Sequence, residues 1–244
     1  KIGFWIKNAR SISLPQSALP CLTAVVLCIG QEGFLWWLAL PVLLGICAAH
    51  LGMNLADDYF DYKHDSRTRA DISSNSVRAR MEKCHYLGEG KATVSQLGWA
   101  IVGFLGFAAL MGATAFVVQW LLHGWQAAMG IVIYAVLGLF VGINYSGKPL
   151  ELGFHGFGEL VIGLMFGPLC MLGIQAAITG VMFSWPMLCM SVAIGSMVTN
   201  IVYVHSVMEV DADAELGKMT FARLLKNKAA MIVFIGFFAL VPFA

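Results

Sequence analysis

Seven stretches of this 244-residue chain are long and apolar enough to cross a lipid bilayer. A crossing helix needs about 20 mostly apolar residues, because the hydrocarbon core is about 30 Å thick and each helical residue advances about 1.5 Å. The stretches lie near 14–30, 34–56, 95–119, 125–144, 157–178, 185–209 and 229–244. Pro15, Pro20, Pro41, Pro168 and Pro186 fall in or near them, which a membrane helix tolerates when neighbours satisfy the freed carbonyls. A chain that is 59% hydrophobic and 12% charged does not have the composition of a soluble domain. The expected fold is all-α: a multi-pass transmembrane helical bundle forming one integral membrane domain over 1–244. The seventh stretch breaks off at Phe243-Ala244, so one or more further helices are expected to follow it.

Charge placement supports this topology. Seven crossings divide the connecting segments into two sides. All fifteen Lys and Arg fall on the side that holds the N-terminal residues, 57–94, 145–156 and 210–228. The positive-inside rule makes that side cytoplasmic, in the plasma membrane. The basic residues form no stripe with interleaved aromatics, so no nucleic-acid partner is expected. The six cysteines form no CxxC pair, and five lie in apolar stretches, as small buried hydrophobes do.

Counting Asp71 just past the first, nine of the fourteen acidic residues belong to two clusters, each at the end of an apolar stretch. Carboxylates beside hydrocarbon are costly and mark functional sites. The first cluster runs Asn54-Leu-Ala-Asp57-Asp58-Tyr-Phe-Asp61-Tyr-Lys-His-Asp65, with Asp71 beyond it. At about 100° per residue, Asn54, Asp58, Asp61 and Asp65 share a sector of roughly 60°, with Asp57 at its margin. An ordinary solvated helix end is the alternative, but such ends seldom stack several acids on one face. The second cluster runs His205-Ser-Val-Met-Glu209-Val-Asp211-Ala-Asp213-Ala-Glu215. His205, Glu209 and Asp213 share a sector of roughly 80°, while Asp211 points nearly opposite. Magnesium takes hard oxygen ligands, typically one or two carboxylates completed by phosphate oxygens and water. The candidate metal ligands are therefore Asn54, Asp58, Asp61, Asp65, Glu209 and Asp213. His205 is open among metal binding, substrate contact and a hydrogen bond within the bundle.

Magnesium held this way would present itself to a diphosphate, which also needs protein cations. Arg10, Lys63, Arg67, Arg78, Lys148 and Lys218 are the candidates, each with the alternative role of a membrane-side anchor. Lys148 stands out because it lies in the compact Asn144-Tyr-Ser-Gly-Lys-Pro149 turn at a helix end.

Four segments together resemble the UbiA superfamily of intramembrane prenyltransferases, most closely the branch that prenylates 1,4-dihydroxy-2-naphthoate. They are Asn8-Ala-Arg10-Ser-Ile-Ser-Leu-Pro15, then Asn54 to Lys63, then Tyr145-Ser-Gly-Lys148-Pro149-Leu with 156–168, and finally Glu209 to Asp213 with 217–222. Three positions depart from the family pattern. Glu209 stands where Asp usually begins the second motif, His205 where Asn or Asp is common, and His64 where Gly often sits.

The resemblance implies about nine helices, two magnesium ions and a polyprenyl diphosphate donor. It also implies a dihydroxynaphthoate-like aromatic acceptor and a chamber open to membrane lipid. Asp58, Asp61, Asp213 and Lys148 are expected to be catalytic. Arg10, Asn54, Lys63, Arg67, Arg78, Tyr145, Lys148, His205 and Lys218 are expected to bind substrate. Other acceptors, such as 4-hydroxybenzoate or a lipid glycerol, stay open. A cation transporter is the rival from another class.

Overall fold

The computed structural model describes residues 2–65, 84–215 and 219–244. The regular structure of the described residues is helical, apart from one isolated bridge between His155 and Met219. The helices are α1 (Ile2–Asn8), α2 (Pro15–Cys28), α3 (Ala39–Asp65), α4 (His85–Gly88), α5 (Val94–His123) and α6 (Trp125–Ser146). They continue with α7 (Gly158–Leu164), α8 (Cys170–Thr179), α9 (Trp185–Met208), α10 (Val210–Glu215), α11 (Phe221–Leu225) and α12 (Lys228–Leu240).

Six of the seven expected crossings are present at full length: Ser11–Cys28, Trp36–Lys63, Val94–His123, Trp125–Ser146, Gly158–Thr179 and Trp185–Met208. The last apolar stretch forms the shorter helical segment Lys228–Phe243. The crossing expected near 157–178 is divided into α7, a π turn at Met165–Leu169, and α8. Pro168 lies in that turn. Proline cannot donate to the preceding turn, and the wider π turn absorbs the misfit.

Burial shows which helix is central. In Gly158–Thr179, 56% of the apolar window is buried inside the protein, against 6% in Val94–His123. The α7–α8 rod is therefore the hub, and α5 turns most of its apolar surface outward. Lipid tails are as apolar as leucine, so close backbone packing holds such a bundle together. Gly163 and Gly167 on the rod meet Gly195 on α9. A Cβ at Gly163 would lie 1.9 Å from Thr199 Oγ1, and one at Gly195 would lie 2.6 Å from the Gly163 carbonyl. The α3–α5 pair uses the same device, with Gly45 against Met111 and Gly52 against Leu105.

Local signals set several helix ends. Thr93 and Gln96 form a reciprocal capping box that starts α5. At the opposite end of the bundle, Gln119 donates to Ala177 O and Gln175 to Val181 O, each at 3.0 Å. Both amides satisfy carbonyls where α8 ends.

At about 1.5 Å per residue, the 27 residues of α3 span about 40 Å, which exceeds the hydrocarbon thickness. Its last turns, which carry the first acidic cluster, therefore emerge from the apolar layer.

Replacing Gly195 with Leu should drive a side chain into the α7 backbone and destabilise the protein by about 1–3 kcal/mol. Gly106→Leu, where nothing lies within 4 Å of an added Cβ, should be nearly neutral. Thermal unfolding of both variants in detergent measures the contrast.

Candidate active site

The site begins with the short lead-in between α1 and α2. Arg10 adopts a left-handed conformation (φ 58°), uncommon for any residue but glycine. The turn brings its guanidinium back against α3. Arg10 Nη2 donates to Asn54 O at 2.8 Å and to Asp57 Oδ2 at 3.1 Å, and lies 3.3 Å from Asp58 Oδ1. Asn54 returns the contact, its Nδ2 donating to Ala9 O at 2.9 Å and to Ser13 Oγ at 3.3 Å. Burial opposes the charge on Arg10, but Asp57 and Asp58 outweigh it, and the guanidinium is held above its ordinary pKa.

Asp58 is fully buried and also accepts from the Tyr86 hydroxyl at 3.1 Å. Burial and then the Asp58 carboxylate push the Tyr86 phenol up, so it keeps its proton and serves as a donor. Asp61 is buried one turn further along α3. Lys63 is exposed, donates to Tyr59 Oη and sits 4.3 Å from that ring's centroid.

The third segment joins this cluster through α6. Ser146, in the last turn of α6, donates its hydroxyl to Asp57 Oδ1. Tyr145 packs on the following loop, where a Cβ at Gly153 would lie 3.2 Å from its ring and one at Gly158 3.3 Å from its hydroxyl. Lys148 is exposed on that loop.

The same loop grips the tail of the second cluster. Gly156 N–H donates to Met219 O at 2.8 Å, and Met219 N–H donates to Phe154 O at 3.3 Å. Glu159 is 2% exposed, and both its carboxylate oxygens accept from Phe221 N–H at 3.2 Å. A buried carboxylate thus caps the first turn of α11. From α11, Arg223 Nη1 donates to Asp213 O at 3.2 Å.

Asp213 is buried on α10, whereas Asp211 is exposed. His205 and Glu209 form an i,i+4 pair at 3.4 Å. His205 also lines a cleft of about 360 Å³ with Gln16 of α2 and Ile201, Val202, Val204 and Met208 of α9. The start of α2 therefore touches both halves of the site: Arg10 and Ser13 just before it contact α3, and Gln16 faces α9.

Asn54, Asp58, Asp61, Tyr145, Lys148, His205, Glu209 and Asp213 all lie at this end of the bundle, and Asp65 closes α3. Arg67, Asp71, Arg78 and Lys218 lie outside the described residues. Arg10 contacts Asn54, Asp57 and Asp58, and Lys63 contacts Tyr59. Among the described residues, no three His, Cys, Asp or Glu side chains converge closely enough to enclose a metal. Sequence reasoning missed Asp57 as a hub, together with Ser146, Glu159, Tyr86 and His50. The ladder His50, Asn54, Asp58 at four-residue spacing was visible in the chain and would have flagged His50.

Residues 17–244 match the UbiA prenyltransferase family. The chain belongs to that family. A 1,4-dihydroxy-2-naphthoate octaprenyltransferase of Mycobacterium tuberculosis is 28% identical over 96% of this chain and 74% of its own length. An enzyme of the same name from Bacillus subtilis is 25% identical over 94% of this chain and 68% of its own length. The fold resembles that of a UbiA homologue from Archaeoglobus fulgidus bound to GPP and Mg2+, with a TM-score of 0.65 and 13% identity over 97% of this chain and 75% of that one. Family membership together with six apolar crossings makes this an integral membrane enzyme of prenyl transfer.

Glu159→Ala should strip the acceptor from Phe221 N–H and cost about 1–3 kcal/mol, the penalty for an unsatisfied buried donor. Glu159→Gln, which keeps an acceptor oxygen, should lose less. Amide exchange across 219–225 should accelerate in the alanine variant and stay slow in the glutamine variant.

Proposed function

We propose that this aromatic prenyltransferase moves a polyprenyl group from its diphosphate to a 1,4-dihydroxy-2-naphthoate-like acceptor, a step of menaquinone-type quinone synthesis. In this reading residues 1–244 act as one prenyltransferase domain in the plasma membrane, with the site open to the cytoplasmic side. The observation that supports the reading is the run of side-chain and backbone contacts from Arg10 through Asp57, Ser146 and the 147–159 loop to Glu159, Phe221, Arg223 and the Asp213 carbonyl. This run links the two chain segments that bear the acidic clusters. The names of the Mycobacterium and Bacillus relatives support the acceptor class.

The donor set suits magnesium in chemical character: the buried carboxylates of Asp58, Asp61 and Asp213, and the side-chain amide of Asn54 on the same helix as the first two. Among the described residues no three such side chains converge, so phosphate oxygens and water would have to complete the shell of each ion. In this reading Asp58 or Asp61, with Asn54, would contribute to one ion, and Glu209 and Asp213 to a second. The bound metal would supply Lewis-acid stabilisation of the departing diphosphate.

The chain's own residues supply the rest. Lys148 and Lys63 would offer positive charge where the leaving oxygens become more negative; Arg67, Arg78 and Lys218, the other candidates for this role, lie outside the described residues. Arg10 holds Asp57 and Asp58 in register. Ile201, Val202, Val204 and Met208 offer the isoprenoid an apolar wall, with His205 at its polar end. As the allylic carbon–oxygen bond breaks, the electron pair leaves with the diphosphate, and aromatic faces such as Tyr59, Phe60 and Tyr145 can stabilise the allylic cation. The acceptor ring donates the pair that forms the new carbon–carbon bond, and the naphthoate carboxyl departs as carbon dioxide.

Purified protein in liposomes, given polyprenyl diphosphate and magnesium, should prenylate dihydroxynaphthoate in preference to 4-hydroxybenzoate, as read by product mass. Asp58→Asn and Asp213→Asn should each lower the rate at least about 100-fold while the protein still elutes as a folded species. Undiminished product in excess EDTA would refute the metal scheme, and a 4-hydroxybenzoate product would reassign the acceptor.

A further inference from the structure

His50 has no part in the reaction proposed above, yet it is buried at the junction of three elements. Its Nε2 lies 3.1 Å from Ser13 Oγ and its Nδ1 lies 2.9 Å from Ser17 Oγ. Its ring leans on Phe166 in the π turn of the central rod, with centroids 4.9 Å apart. It therefore joins α3 to the lead-in of α2 and to the one irregular turn of the hub.

Proton accounting gives the imidazole a direction. The Ser13 hydroxyl donates to Arg10 O at 2.7 Å, so its single proton is committed. Ser13 Oγ can then only accept from His50 and from Asn54 Nδ2. We assign the His50 proton to Nε2 because Ser13 holds the shorter serine–carbonyl bond, 2.7 Å to Arg10 O against 3.0 Å from Ser17 to Leu14 O, which leaves Ser17 the freer to donate to Nδ1. The Ser17 proton is shared with Leu14 O, 3.0 Å away. The sequence of donors runs from His50 to Ser13 to the carbonyl of Arg10. Arg10 is one of three non-glycine residues with positive φ among those described. A left-handed turn in a side-chain-bearing residue persists only where its surroundings over-determine it. Ser13 also fixes this turn through its own N–H, which donates to Arg10 O at 2.8 Å.

We propose that His50 is a positioning residue. Through Ser13 it holds the left-handed turn at Arg10 and so keeps the guanidinium between Asp57 and Asp58. The inference rests on reading that aspartate cluster as the diphosphate end of the site. His50 touches no reacting atom. Its effect reaches the reaction by fixing the geometry of the carboxylates, where a small misplacement is costly.

The experiment uses the full chain in lipid nanodiscs as wild type, His50→Leu, His50→Gln, Ser13→Ala and the Ser13→Ala/His50→Leu double variant. Amide exchange over 10–14 should accelerate about tenfold in His50→Leu and in Ser13→Ala, since both cut the same link. The KM for polyprenyl diphosphate should rise about tenfold in those variants, while the KM for the aromatic acceptor stays within about twofold. His50→Gln, whose amide N–H can still reach Ser13 Oγ, should restore most of the loss. The double variant should be no worse than either single change.

The proposal is overturned by unchanged exchange in His50→Leu, by parallel shifts of both KM values, by a glutamine variant as damaged as the leucine one, or by additive losses in the double variant. Should His50→Leu fail to fold, Ser13→Ala and His50→Gln carry the same comparison. If the wild type transfers no prenyl group to any acceptor, the functional reading falls, and the exchange data still decide the His50–Ser13 link.

Discussion

Where α3 leaves the apolar layer, a guanidinium sits against two carboxylates, and the shape of this end of the molecule follows from that meeting. A fully buried carboxylate such as Asp58 is tolerable only when charge and hydrogen bonds compensate its lost hydration. Arg10 and Tyr86 supply that compensation from two other parts of the chain. Each is drawn in for the same reason, so the pairing also fixes where the lead-in and the segment before α5 must lie. The left-handed turn at Arg10 is the local cost of bringing the cation back onto α3.

From this point the constraint spreads by contact. Asp57 takes the Ser146 hydroxyl on one oxygen and Arg10 on the other. Ser146 ends α6, and the loop that follows grips 219–221 through backbone hydrogen bonds and the Glu159 carboxylate. Asp213 is thereby tethered, through Arg223, to the same framework as Asp58. Two acidic clusters about 150 residues apart in the chain are joined by short polar links, while the glycine seams of α7 and α9 hold the apolar remainder in register.

The crossing helices were legible because length and apolarity alone dictate them in a bilayer, and six appear at full length where the apolar stretches lie. The π turn was not legible, since Pro168 and its glycine neighbour permit either a kink or a wider turn. Rotational arithmetic paired His205 with Glu209, and an i,i+4 contact on one helix requires no partner from elsewhere. The same arithmetic left Asp57 at the margin of its face. It became the hub because Arg10 and Ser146 approach from other segments, which no periodicity within α3 encodes. The contact of Lys63 with the Tyr59 ring, one turn away, follows from four-residue spacing on α3.

By itself, then, the order of residues determined a membrane bundle, the side on which its charges gather, and the two short stretches in which its acids cluster. Each of these depends on composition and spacing within a single helix. Only the tertiary structure decided which cation meets which carboxylate, that Glu159 caps α11 instead of facing solvent, and that His50 meets Ser13, Ser17 and Phe166. Those choices depend on the approach of segments distant in the chain, and such approach is set by how whole helices pack.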